Sequence, residues 1–124
     1  MFDKPLCFVD IETTGSSFSY DKVIELAVIR VEKNKVVSIF HSLFNPGVRV
    51  DPFIINLTGI NPRELEDAPQ FFAKTKEIAE ILKDAIFVAH NSRFDYNFLK
   101  KEFRRLEKKF RYPQLCTVKL SRKL

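Results

Sequence analysis

Three acidic side chains carry the chemistry this chain suggests. Asp10 and Glu12 lie two apart in Phe8-Val9-Asp10-Ile11-Glu12-Thr13-Thr14-Gly15, and Asp95 lies far downstream in Ala89-His90-Asn91-Ser92-Arg93-Phe94-Asp95. Side chains alternate along a strand, so Asp10 and Glu12 project from one face, about 7 Å apart. Like charges on one face of a buried strand repel each other and lose hydration. A raised pKa, two nearby cations or a bound divalent metal would each relieve this. With Leu99 set at zero and about 100° per residue, Phe103, Leu106 and Phe110 fall within about 40° of it, and Asp95 about 40° to the other side. An acid on the apolar edge near a helix start calls for a partner: the helix dipole, a salt bridge, or a metal shared with the first pair. Three inward acids favour the shared metal, with their carboxylates converging within a few ångströms of a common point.

The elements that must position these acids follow from periodicity. Leu6–Ile11 is apolar apart from Asp10 and reads as a strand buried on both faces. The polar exit Thr13-Thr14-Gly15 puts the acid pair at its carboxyl end, where α/β sheets build sites. After a polar loop over 16–21, the runs Lys22–Glu32 and Val36–Phe44 read as a hairpin turning at Lys33-Asn34-Lys35 and ending at Asn45-Pro46-Gly47. Residues 48–67 read as irregular. Pro69 suits the first turn of a helix running to about Lys83, with Phe72, Ile78, Ala79 and Leu82 inward. Ala85–Ala89 reads as a buried strand, and Ser92 as the cap of a second helix reaching about Lys109. Tyr112-Pro113 breaks that helix, Leu115–Thr117 suits a last short strand, and a further helix begins over 118–124. The order predicts an α/β fold: a mixed sheet flanked by helices.

Lys100, Lys101, Arg104, Arg105, Lys108 and Lys109 fill the arc of the second helix opposite Leu99, the pattern of a solvated face. The whole chain of 124 residues has 21 Lys and Arg against 16 Asp and Glu, a net charge of +5. That balance favours an anionic partner such as nucleic acid, though many basic proteins bind none. A hydrophobic content of 45% with thirteen Phe supplies one packed core and one domain. Cys7 and Cys116 lack metal-ligand spacing, and Cys7 reads as a buried free thiol. The chain shows neither a signal-peptide pattern nor an apolar run of membrane-spanning length, so the expected location is the cytoplasm, away from membranes.

The run Phe8–Gly15 resembles the first exonuclease motif of the DEDD superfamily of 3′–5′ exonucleases, and His90-Asn91-Ser92-Arg93-Phe94-Asp95 resembles the second. Val23-Ile24-Glu25-Leu26-Ala27-Val28, Asn45-Pro46 and Leu57-Thr58-Gly59-Ile60 fall between them, where the family has similar segments. The likeness is to the DnaQ-like group, which includes the epsilon proofreading subunit of bacterial DNA polymerase III and RNase T, and it spans about residues 5–120. It implies an RNase H-like fold with three antiparallel strands plus parallel strands. It also implies removal of nucleotides from DNA 3′ ends, in replication proofreading or repair, with RNA as an alternative substrate.

Carried over by position, Asp10, Glu12 and Asp95 would bind two Mg²⁺ or Mn²⁺ ions, whose hardness suits carboxylate oxygens. Thr13 and Thr14 would offer backbone or hydroxyl groups to the terminal nucleotide. Leu57 and Ile60 would wedge against the terminal base of a single-stranded 3′ end, Phe94 would pack beside it, and Asn91 would hold the local geometry. His90 reads as a hydrogen-bonded structural residue and His41 has no assigned role.

The family's third motif, a general-base His followed by a fourth acid, has no match here. The two histidines, His41 and His90, both precede Asp95. Residues 1–124 are therefore expected to be an exonuclease domain lacking its C-terminal part. The segment 115–122 resembles a bacterial subset in which the domain is sometimes fused to a GIY-YIG endonuclease domain, and a polymerase or repair protein is a possible partner. Two other functions stand beside the exonuclease: a non-catalytic nucleic-acid-binding or docking module, and an inert fragment.

Overall fold

The structure is a computed structural model and describes residues 3–117; the helix expected over 118–124 lies outside them. A five-stranded sheet has the order β3-β2-β1-β4-β5, formed by β1 (Leu6–Thr13), β2 (Val23–Glu32), β3 (Lys35–Leu43), β4 (Ile86–Ala89) and β5 (Gln114–Cys116). Strands β1, β2 and β3 are antiparallel neighbours, while β4 and β5 run parallel to β1. The hairpin turns on two residues, Lys33 and Asn34, with Glu32 opposite Lys35. Both adopt positive φ, the backbone that a tight twisted hairpin requires.

The helices are α1 (Pro52–Thr58), α2 (Pro62–Asp67), α3 (Thr75–Leu82) and α4 (Ser92–Arg105). Residues 48–67, expected to be irregular, contain the first two. Each begins with an acceptor and a proline: Asp51 Oδ1 accepts from the Phe53 N–H, and Asn61 Oδ1 from the Arg63 N–H. Gly59 closes α1 with φ of 72°. The helix expected from Pro69 instead opens as a 3₁₀ turn, Phe71–Lys74, before α3. The tighter turn rotates the face, so Phe71 and Ile81 are buried while Phe72 is exposed and Ala79 half-buried. Helix α4 stops at Arg105, four residues short of the expected end, because the chain turns at Glu107 with positive φ.

One face of the sheet makes the main core. Cys7, Val9 and Ile11 of β1 and Leu26 and Val28 of β2 pack against Ile78 and Leu82 of α3 and Phe98, Leu99 and Phe103 of α4. A satellite core of Ile24, Ile60 and Leu65 holds α1 and α2 to the sheet. It exists because of a bulge: Glu12 pairs with Glu25 but Thr13 with Val23, leaving Ile24 as the extra residue. Strand β1 is thus buried on one face and not on both. Phe8 is 42% exposed and Asp10 is exposed. The apolar run misled because Leu6 and Phe8 occupy the outer face, where an apolar side chain looks the same in sequence as on the inner one.

Candidate active site

Strand β1 outruns its parallel neighbour. Pairing with β4 covers Leu6 to Phe8, and β1 continues to Thr13. The chain leaves β4 at Ala89 and enters α4 at Ser92, so the first turn of α4 stands beside the unpaired edge of β1. Asp95 fills that notch, and its carboxylate accepts hydrogen bonds from the Ile11 N–H and its own N–H. Asp10 and Glu12 rise from the outer side of the same stretch of β1. A shallow groove of about 430 Å³ on that side has Phe8, Asp10, Ala27, Val88 and His90 in its walls.

The acids feel one another. Burial pushes the Asp95 carboxyl up to about 7, assisted by the charge of Asp10 and less by that of Glu12, against the two N–H bonds that favour ionisation. Glu12 is also raised, by burial first and then by Asp10 and Glu25. Yet among the described residues no three His, Cys, Asp or Glu side chains are grouped as a metal site requires. The expected convergence on a common point is therefore not present. Asp95 is turned to backbone N–H groups, Asp10 stands in solvent, and mutual repulsion favours separation. The structure brings the acids into one electrostatic neighbourhood without closing them on a single ion position.

The remaining candidates divide. Thr13 is buried and its hydroxyl donates to the Gly15 carbonyl. The Thr14 hydroxyl donates to Asp21 Oδ1 at 2.9 Å and accepts from the Lys22 N–H at 3.0 Å. Both hydroxyls fold the loop after β1. Asp21 also accepts from the Ser17 N–H, and a Cβ at Gly15 would stand 2.5 Å from its Oδ2, so any larger residue there would push the Asp21 carboxylate off its bonds to Thr14 and Ser17. Leu57 is 68% exposed on α1, whereas Ile60 is buried in the satellite core. Only Leu57 of that pair presents a free apolar surface. Asn91 is exposed at the N-terminus of α4, and its carbonyl, not its side chain, accepts from Phe94 and Asp95. Phe94 packs in a trio with Phe18 and Phe98, its ring 4.8 Å from that of Phe98.

Some participants had no sequence signal. Glu25 faces Glu12 across β1 and β2, and its Oε2 lies 2.7 Å from His41 Nε2, which gives His41 a partner beside the acids. Glu102 is buried, accepts the Val23 N–H at 3.0 Å and pairs with Arg105 at 2.7 Å. Arg105 in turn donates to the carbonyls of Phe18, Ser19 and Asp21. This residue, expected on a solvated face, instead clamps the loop that follows the acid pair. An i, i+3 Glu–Arg spacing was visible, but the loop it grips is more than eighty residues away. His90 is hydrogen-bonded as expected, through Nδ1 to Thr117 Oγ1 at 3.1 Å. Cys7 is fully buried beside the Ile81 carbonyl, and burial pushes its thiol up to about 11, so it is an inert core residue.

A family model described as Exonuclease, of RNase T type, matches residues 7–124. The chain belongs to this exonuclease family. DinG of Staphylococcus epidermidis, a 3′–5′ exonuclease by name, is 39% identical over 103 residues, which is 83% of this chain and 11% of DinG. DinG of Staphylococcus haemolyticus is 44% identical over 95 residues, 77% of this chain and again 11% of the relative. The chain therefore spans about a ninth of these relatives' length. Among solved structures, E. coli Exonuclease I in complex with a 5cy-dA13 oligonucleotide superposes with a TM-score of 0.85 at 19% identity, over 96% of this chain and 29% of that one. Exonuclease I in an SSB-Ct complex gives 0.86 at 19% identity, over 98% and 30%. The likeness establishes the RNase H-like sheet flanked by helices. Among the described residues no helix is long and apolar enough to cross a membrane.

Proposed function

We propose that this chain is the core of a metal-dependent 3′–5′ exonuclease acting on single-stranded DNA ends, in replication proofreading or repair within the cytoplasm. The observation that carries the reading is Asp95, held in the notch beside β1 with its pKa lifted toward neutrality by burial and by Asp10. Burial first, and the Asp10 charge second, disfavour its ionised form, and a divalent cation bound beside it would favour that form again. The donor set fits: three carboxylates on two elements, all hard oxygens suited to Mg²⁺ or Mn²⁺.

Asp10, Glu12 and Asp95 would hold two such ions, with the exposed Asp10 and half-buried Glu12 free to turn toward Asp95. Bound there, divalent ions supply an acidified water and charge stabilisation for the leaving 3′ oxygen. The rest is positioning by this chain. Glu102 and Arg105 fix the loop after β1, and Thr13 and Thr14 shape it. Leu57 presents an apolar edge to a terminal base, and Ile60 anchors the end of α1. Phe94 and Phe18 form the aromatic wall beside Asp95. The oligonucleotide in the Exonuclease I structures supports single-stranded DNA as the substrate class. A general base, a fourth acid and any fused GIY-YIG domain or polymerase partner would be supplied from outside these elements.

The test is a Mn²⁺ titration of the purified chain, read by the electron paramagnetic resonance of free Mn²⁺ and by thermal shift. The wild-type chain should bind and be stabilised, and Asp10→Asn and Asp95→Asn should each lose most of both effects. Equal binding by all three would remove these acids from the metal site.

A further inference from the structure

The basic arc of α4 is not uniform. Lys100 and Arg104 follow Tyr96 at four-residue spacing, so they line one edge of the helix over about 12 Å at 1.5 Å per residue. The chain then turns at Glu107 and returns past Lys109 and Arg111 to Tyr112. The return is pinned where the Tyr112 N–H donates to the Tyr96 hydroxyl at 2.9 Å. Between helix edge and return segment lies a groove of about 730 Å³ with no acidic residue in its walls.

Lys100, Arg104, Lys109 and Arg111 line this groove and are all exposed. Among the described residues none of them has an acid partner; the ion pairs there belong to Arg30, His41, Lys74 and Arg105. Lys108, a further wall residue, is tied to the Thr75 hydroxyl. Ordinary solvated helix faces intersperse both signs, and four unpaired cations around one concavity repel one another. A polyanion relieves that repulsion and releases counterions in doing so. Helix α4 carries Asp95 in its first turn and the groove along its later turns, so one helix holds both the acid site and the groove.

We propose that this groove is a second nucleic-acid site, binding backbone phosphates of a single strand 5′ to the end held at Asp10, Glu12 and Asp95. The proposal rests on the exonuclease reading for its choice of polyanion. Of the three aromatic residues in the wall, Tyr96 and Phe110 are buried and Tyr112 is half-buried with its ring against Phe110, so the exposed part of the wall is mainly cationic and recognition is by charge.

The test uses the full chain in EDTA, with fluorescence anisotropy of a labelled oligo-dT tetramer and dodecamer over a salt series. The variant is Lys100→Gln, Arg104→Gln, Lys109→Gln and Arg111→Gln together. A charge-matched control carries Lys4→Gln, Lys33→Gln, Lys35→Gln and Lys76→Gln, all exposed elsewhere. The groove variant should lose tenfold or more in dodecamer affinity at low salt, and its slope of log K against log salt should flatten by about 2–3. Its tetramer binding and circular dichroism should match wild type, and the control should keep most of its dodecamer affinity. Equal loss in groove variant and control would reduce the effect to net charge and overturn the proposal. So would unchanged dodecamer binding, or polyglutamate binding through the same four cations in place of oligonucleotide, which would mark an acidic protein partner. A separate Asp10→Asn protein should keep dodecamer binding, and if it cleaves normally the exonuclease reading fails while the groove result stands.

Discussion

Asp95→Asn should stabilise the metal-free chain at neutral and higher pH. Burial and the neighbouring Asp10 raise this carboxyl from 3.8 to about 7 in the folded state. The folded chain therefore binds a proton that the unfolded chain has already released, and stability falls as pH rises through that window. A rise of that size corresponds to roughly 4 kcal/mol against the ionised form, present in full above about pH 7. The N–H bonds that favour ionisation are already contained in that rise; asparagine keeps an oxygen for the Ile11 N–H but brings an amide NH₂ into a buried position without a partner, which costs about 1–2 kcal/mol. The net expectation is a gain of about 2–3 kcal/mol near pH 8 and little change or a small loss near pH 4. Urea denaturation in EDTA at both pH values checks it, with the variant's stability nearly flat in pH over the range where the wild type declines. Mn²⁺ should restore the wild type at the higher pH and leave the variant unmoved. If Asp95→Asn weakens the fold equally at both pH values, the carboxylate is a favourable structural cap and the electrostatic reasoning is mistaken.

Two further outcomes follow from the same geometry. Glu102→Ala leaves the Val23 N–H unpaired and Arg105 without its acid, so it should destabilise by about 2–4 kcal/mol in chemical denaturation. It should also free the loop over 14–22, seen as faster hydrogen exchange at the Ser17 and Lys22 amides. Leu57→Ala should leave stability within about 0.5 kcal/mol while weakening single-strand affinity, whereas Ile60→Ala should cost about 2–4 kcal/mol by opening the satellite core. Paired denaturation and anisotropy measurements separate the two, and the reverse pattern would exchange their roles.

Much of the site was legible because it obeys strict periods. Asp10 and Glu12 share a face by the two-residue repeat of a strand, and Asp95 falls inward by the helical repeat anchored on Leu99. The hairpin was legible at Lys33-Asn34 and β4 in the apolar run over 85–89, which gave a mixed sheet but not its strand order. Other features depend on contacts that no local pattern encodes. Phe8 and Val9 look alike in sequence, yet the first is on the open face and the second in the core. Arg105 has the same local surroundings as Arg104, but only Arg105 meets the carbonyls of the loop after β1. The helices α1 and α2 were missed although their signals were present: Asp51-Pro52 and Asn61-Pro62 each place an N-cap acceptor before a proline. Their shortness hid any apolar repeat. The open arrangement of the three carboxylates was not readable, because periodicity fixes where a side chain leaves the backbone and not which hydrogen bonds it then finds.

The most direct test of the central claim is the shortening of a 5′-labelled single-stranded oligonucleotide by the purified chain with Mn²⁺, beside Asp10→Asn and an EDTA control. The account predicts only a faint ladder trimmed from the 3′ end, slowed by roughly 10²–10⁴ because neither His41 nor His90 is placed as a general base, present only with the metal and lost in Asp10→Asn. A ladder undiminished in Asp10→Asn, or release of the 5′ label as the first product, would contradict it.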